Sequence, residues 1–387
     1  MEVLTEEQGL RIRVREAPDW SALFQRTKDW TGSDGIYAVP LSGREAPGQL
    51  IGRQVLVFGD TFMGEVDERG VRQNYRMVYN TLATLDGGEP DESQLHFLWG
   101  ENGDGGEGTF FVPSTPRAQE AGECWYWLQD GFVQNGFFYL MPMLVAKDLE
   151  GSPGFQFRDF ATCLIKVPLG ENGPEWAQHV QVDAPFFSVD EKRKLFFGAA
   201  FMPNTETAGA PDPDGYIYIY GRYQGKGDDE VKLAVARVES ALFEDWGAWR
   251  FWDGDAWNPD ISAAIPLGRG GPELSVTPVA SGPLAGKYLL VSMHVERDLY
   301  MRIGESPVGP FGPRINIYHT SEPDAGQDIY TYNAKAHPSL SSTGKWLVSY
   351  NVNSRNWDSL IDHADIYRPR FLWMQIEQIA PTPRKRK

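Results

Sequence analysis

Short apolar runs recur in pairs along the whole chain, and almost nothing between them has the spacing of an amphipathic helix. That pattern predicts an all-β fold. Pair one is DGIYAVPL, from Asp34, with QVLVFGDTF, from Gln54. Pair two is DGFVQ, from Asp130, with FFYLMPMLVAK, from Phe137. Asn135-Gly136 joins them, a dipeptide suited to a two-residue hairpin turn. Pair three is KLFFGAAFM, from Lys194, with GYIYIYGRY, from Gly215. Pair four is ELSVTPVAS, from Glu273, with KYLLVSMHV, from Lys287. Pair five is NAKAHPSLS, from Asn333, with KWLVSYNVN, from Lys345, joined by Ser342-Thr343-Gly344. Further strand-like runs (MVYNTLATL, ATCLIKVPL, KLAVARV, LYMRIGES, FLWMQIEQI) follow most pairs. The helix candidates, Asp19–Gln25 and Ser240–Trp246, are short. The 41 Gly and 27 Pro supply the many turns such a chain needs.

A unit of two inner strands and one or two outer ones thus recurs five times, at uneven spacings of about 55 to 95 residues. Repetition on this scale predicts a five-bladed β-propeller. A large β-sandwich or jelly roll is the competing architecture. No linker divides the chain, so residues 1–380 are expected to be one domain, with 381–387 a disordered basic tail.

In a propeller, the start of each first strand and the end of each second strand meet at one mouth on the central axis. Those positions carry Asp34 and Asp60 in blade one, with Asn80 beside them, and Asp130 in blade two. They carry Arg222 in blade three and Glu273 and His294 in blade four. Blade five adds Lys335, His337, Asn351 and Asn353. Each has an ordinary reading as well. Asp34-Gly35 and Asp130-Gly131 are turn sequences. Glu273 follows Gly270-Gly271-Pro272, Arg222 can pair with an acid, and His337 can be a core histidine. Asp60 is harder to explain by packing, because GDT interrupts an apolar strand end. Carboxylates inside a fold are costly unless paired or used.

Composition narrows the chemistry. A net charge of −17 disfavours nucleic acid and anionic membranes as partners. No run is long and apolar enough to span a bilayer. MEVLTEEQGLRIRV lacks the apolar core of a signal peptide, so the expected location is the cytoplasm, or outside the cell as a mature secreted form. Cys124 and Cys163 have no zinc spacing and read as small packed residues. P-loop, dinucleotide, nucleophile-elbow and HExxH signatures are missing, and no cofactor is required. Several carboxyls around a mouth, with amides, an arginine and many aromatics, suit glycosidic bond cleavage. That reaction needs one carboxyl as acid and another as base or nucleophile. Asp34, Asp60, Asp130 and Glu273 are the catalytic candidates. Asn80, Trp127, Arg222, His294, Lys335, Asn351 and Asn353 are the substrate-binding candidates, and an oligo- or polysaccharide is the expected partner. The oligomeric state is not legible. A non-catalytic sugar-binding propeller is the alternative function.

The stretches GSDGIYAVPL, LVFGDTFMG, YNTLATL, GYIYIYGR, ESPVGPFGP, YNAKAHPSLSSTGKWLVSYNVNS and IYRPRF resemble domain of unknown function 4185 and its relatives, from about Asp34 to Phe371. That resemblance implies a five-bladed propeller and glycoside hydrolysis at arabinofuranose-type linkages. It also implies likeness to arabinanase, xylosidase and fructosidase propellers, in which an Asp base, a second tuning Asp and a Glu acid line the axis. Asp34 matches the first and Asp130 the second. The Glu departs from the pattern: blade three starts without one, and Glu273 falls in blade four, which leaves Asp60 open to a catalytic role. A structural calcium near a blade-five histidine, here His337, is a further implication.

Overall fold

A computed structural model describes residues 1–5, 9–48, 52–150 and 156–379. The apolar pairs form antiparallel strands, as their alternating β-branched and aromatic residues favour. They assemble into five larger sheets. The first runs in the order Ile36–Pro40, Arg53–Phe58, Thr81–Asp86, Leu95–Leu98. The second has Gly131–Gln134 at its edge, then Phe137–Leu140 and the long Phe157–Gly170. The third is built on Arg193–Asn204, Tyr216–Gly225 and Lys232–Glu239. Leu274–Pro278, Tyr288–Ser292, Asp298–Gly304 and Ile315–His319 make the fourth. The fifth is Ile329–Ala336, Lys345–Ser354 and Pro369–Gln378, completed by Leu10–Glu16 and Glu2–Thr5 from the start of the chain.

The edge strands of these sheets face one another around an axis. Ile36–Pro40 contacts Gly131–Gln134, which contacts Arg193–Asn204; that strand contacts Leu274–Pro278, which contacts Ile329–Ala336. The turn Pro338–Leu340 returns to Ile36–Pro40 and closes the ring. Each sheet is therefore covered on both faces by its neighbours. That is why all of Ile36–Pro40 is buried and why inner strands read as continuous apolar runs. The pairing of Leu10–Glu16 with Pro369–Gln378 ties the two ends of the chain into one sheet.

The hairpin at Asn135-Gly136 has positive φ at both residues (50° and 79°), as a two-residue mirror turn requires. The helix expected at Asp19–Gln25 is Pro18–Ala22, whereas Ser240–Trp246 holds only 3-10 turns, Ser240–Leu242 and the start of Trp246–Ala248. Two helices were not legible, Pro116–Ala121 and Trp357–Asp362; each has fewer than two turns, too short to show a period. Cys163 is buried and Cys124 half-buried. The basic tail expected at 381–387 lies outside the described residues.

Candidate active site

The run containing Asp60, read above as one strand, is two. Three neighbouring strands of the first sheet all break at one level. Lys28–Ser33 gives way to Ile36–Pro40 at Asp34, Arg53–Phe58 to Thr61–Val66 at Asp60, and Arg72–Val78 to Thr81–Asp86 at Asn80. The far segments form a separate three-stranded sheet above the break. The break is held by crossed backbone bonds: Asp34 N donates to Asp60 O (3.3 Å) and Gly59 N to Asp34 O (3.0 Å). A Cβ on Gly59 would fall 2.6 Å from Asp34 Oδ1, so the carboxyl occupies the space a side chain would need. Gly35 (φ +52°) plays the same part for the facing wall, where a Cβ would meet Glu273 Oε1 at 3.0 Å.

Asp34 and Asp60 thus lie side by side at the end of the first sheet, each keeping a partly open edge. The hydroxyls of Tyr332 and Tyr367 donate to Asp34. Burial outweighs those bonds and, with the charge of Glu273, raises the Asp34 carboxyl to about 6. Burial and the neighbouring Asp34 hold Asp60 well above the usual range, although the Trp127 indole donates to it. Its Oδ1 is buried with no hydrogen-bond partner. Glu273 comes from the fourth sheet. Its Oε1 accepts from Asn333 Nδ2 (3.0 Å) and its Oε2 pairs with Lys335, whose ammonium also lies 4.3 Å from the centre of the Tyr37 ring. Asp130 sits on the same axis. Both its oxygens are taken, by Gly131 N (2.9 Å) and Phe201 N (2.7 Å), so it ties the second sheet to the third. Burial lifts it to about 7, against the pull of those bonds and of Lys335. Beside it a cavity of about 40 Å³ continues along the axis, lined by Tyr37, Asp130, Phe201, Lys335 and His337 among others.

The fold therefore brings Asp34, Asp60, Glu273, Trp127 and Lys335 together, with Asp130 within electrostatic reach. Asn353 joins them indirectly, by donating to the Tyr332 hydroxyl (3.1 Å). Asn351 is buried beneath, with neither side-chain atom hydrogen-bonded. Other candidates have different tasks. Asn80 is fully buried, and its amide clamps the Phe111 backbone (Oδ1 from N, 2.8 Å; Nδ2 to O, 3.1 Å) and the Tyr126 carbonyl. Its groups are spent on joining loop to sheet rather than offered to a ligand. Arg222 pairs with Asp159 (3.6 Å), not with a candidate acid. His294 is half-buried beside Arg269 and Glu296, its backbone N–H donating to Glu296 Oε1 (3.3 Å), and burial with the arginine lowers it.

His337 lines the axial cavity, but its Nε2 is 2.7 Å from Ser349 Oγ, and burial drops it to about 3. Among the described residues no group of three His, Cys, Asp or Glu could hold a metal ion. Calcium takes six to eight oxygens. A neutral imidazole and an Asp130 whose oxygens already accept backbone bonds do not fit it.

Sequence reasoning missed Tyr332, Tyr367 and Asn333. Strand alternation would send Asn333 and Lys335 to one side and Tyr332 to the other. A bulge overrides it: Tyr332 pairs with Asn351 but Lys335 with Ser349, which leaves one extra residue, and Asn333 takes a left-handed φ of 59°. Tyr332, Asn333 and Lys335 thereby all reach the acids.

Fold and site together define an all-β ring of sheets with an acid-lined mouth on its axis. The chain belongs to the family described as domain of unknown function 5005, which matches residues 18–376. That is the family the match gives, in place of the number 4185 read from the motifs. A crystal structure described as "a putative hydrolase from Bacteroides ovatus ATCC 8483" has the same fold, at 21% identity and a TM-score of 0.68, covering 94% of this chain and 90% of that one. Two looser similarities are a thermostable family-43 glycoside hydrolase (13% identity, TM-score 0.42, 91% and 96% covered) and Bacillus subtilis levansucrase (11%, 0.48, 96% and 93%). No curated protein matches the sequence.

Proposed function

We propose that the chain is a glycoside hydrolase on a five-bladed propeller, acting on furanosyl linkages of the arabinofuranose type. The observation that carries this reading is the convergence of Asp34 and Glu273 from facing sheets onto one mouth, with Asp34 cradled by two tyrosine hydroxyls. A glycosidic bond needs a carboxyl on each side of the anomeric carbon. Asp34, stabilised as an anion by its tyrosines, is the base or nucleophile. Glu273, on the facing wall, delivers the proton to the leaving oxygen. For this its contact with Lys335 must open as a glycosidic oxygen enters between them, and the freed carboxylate, ionised while it is paired, must first take up a proton from water. Lys335 then turns toward Asp130, which it already favours in charged form. The bond from anomeric carbon to leaving oxygen breaks, that oxygen takes the proton, and water supplies the new oxygen and returns a proton to the carboxyls. Asp60, whose carboxyl is pushed up by burial and by the neighbouring Asp34, lies beside the working carboxyl and steadies it.

The test is a panel of arabinofuranosyl, xylosyl and fructosyl oligosaccharides, assayed for reducing-end release with wild type and the Asp34→Asn and Glu273→Gln variants. Turnover by wild type alone supports the reading. Wild-type turnover that survives in both variants moves the chemistry to other carboxyls. Saturable binding without any turnover favours the non-catalytic sugar binder, which the aromatic residues beside the acids would equally suit.

A further inference from the structure

Among the described residues, the aromatic side chains in the exposed large hydrophobic set are Tyr75 (38% exposed), Tyr79 (37%) and Trp357 (48%). Tyr79 precedes Asn80 at the break beside Asp60, and Tyr75 and Trp357 connect to the acids through the buried rings of Phe62 and Tyr367. Phe62, two residues beyond Asp60, packs on Trp357 (5.5 Å between ring centres), Tyr75 (6.0 Å) and Tyr367 (5.3 Å). Tyr367 is one of the two hydroxyls on Asp34. An unbroken line of rings therefore leads from the Asp34 carboxyl to solvent. Tyr79, at the same break level as Asp60, stacks flat on Trp125 (4.7 Å, 11° between planes).

The shelf that carries Trp357 and Tyr75 is stiffly built. The Arg72 guanidinium lies 4.4 Å from the Phe62 ring centre and donates to Thr31 O (3.1 Å), Ala364 O (2.9 Å) and Leu360 O. It thus fastens the raised three-stranded sheet to the helix Trp357–Asp362 and the turn after it. Core packing does not require this: exposed aromatic area costs solvation and is rarely gathered on one rim without use. The other exposed hydrophobics are aliphatic or Met.

We propose that Trp357 and Tyr75 form a sugar-stacking subsite outside the acid mouth, so that the substrate is a glycan chain several residues long rather than a single glycoside. This deepens the glycoside hydrolase reading and rests on it for the position of the cleaved bond. Apolar C–H faces of a sugar ring lie on the indole and phenol, and the chain runs from there to the mouth. Flat aromatic faces with polar tips suit a ligand that is apolar on its faces and hydroxylated at its edge.

The test uses Trp357→Ala, Tyr75→Ala and Trp357→Phe, with two readouts. The first is kcat/KM on a long oligosaccharide relative to an aryl glycoside of the same sugar. The second is binding of the matching polysaccharide by Asp34→Asn protein, with and without Trp357→Ala, in affinity electrophoresis. We expect each alanine variant to lower the long-to-short ratio about tenfold, and Trp357→Ala to weaken polysaccharide binding similarly. Trp357→Phe, which keeps an aromatic face, should recover most of both. An unchanged ratio with turnover intact overturns the shelf and leaves the hydrolase reading standing. Polysaccharide binding that depends on Trp357 without hydrolysis of any substrate keeps the shelf and overturns the hydrolase. Neither binding nor turnover overturns both.

Discussion

Lys335 and Glu273 form an enclosed ion pair at the centre of the molecule, the lysine side chain 1% and the glutamate 12% exposed. The pair joins the fifth sheet to the fourth, and the ammonium also lowers the carboxyls of Asp34 and Asp130. Lys335→Met should therefore shift the acid limb of the kcat/KM profile upward by about one pH unit. It should also destabilise the fold by about 3 kcal/mol, because Glu273 is left without its counter-ion. Adding Glu273→Gln should restore much of that stability. An unmoved acid limb would mean that Lys335 does not set the charge state of the working carboxyls.

Asp34→Asn should reduce turnover by about 10²–10⁴-fold, the range general acid–base help supplies. It should also change how stability depends on pH. Burial raises the native carboxyl from its ordinary 3.8 to about 6, so the native state holds more protons between those values. Stability from this group is fully present below 3.8 and is lost as pH rises through 6. The variant escapes that loss. Its melting temperature relative to wild type should thus climb from pH 4 to pH 7.5, by the equivalent of about 1–3 kcal/mol. A difference constant with pH, read by calorimetry, would refute the raised carboxyl.

Asn333 offers a way to separate backbone from side chain. Asn333→Ala puts a Cβ into left-handed conformation without an amide, and removes the hydrogen bond to Glu273. Asn333→Gly relaxes the backbone but still loses that bond. Both should lose activity, about tenfold or more, and the alanine variant should be less stable than the glycine variant by about 1 kcal/mol by chemical denaturation. Full activity in the glycine variant would show that Asn333 serves the bulge and nothing else.

Gly32 has no room for a side chain. A Cβ there would stand 2.1 Å from Tyr367 O and 2.4 Å from Arg72 Nη2. Gly32→Ala must therefore push the Tyr367 segment outward, and with it a hydroxyl on Asp34. We expect a loss of about 1–3 kcal/mol in stability and a clear loss of activity. A variant with wild-type melting and kinetics would show that this seam yields freely.

The sequence was sufficient for whatever depends on local pattern. Period-two apolar runs, the Asn135-Gly136 turn and the five recurring pairs predict an all-β chain, and the inner strands fall where those runs lie. The same logic brought Asp34, Asp60 and Glu273 to one mouth, because strand starts and strand returns share a rim. Tertiary structure decided what pattern cannot carry. Asn80 sits at the predicted level, yet its amide is consumed by a loop 31 residues away. Tyr332 reaches Asp34 across 298 residues only because a bulge adds one residue to its strand. Leu10–Glu16 finds its partner at the opposite end of the chain. Hydrophobic periodicity reports which face of a strand is buried. It does not report which distant group waits on that face, or where one extra residue turns a side chain toward the axis.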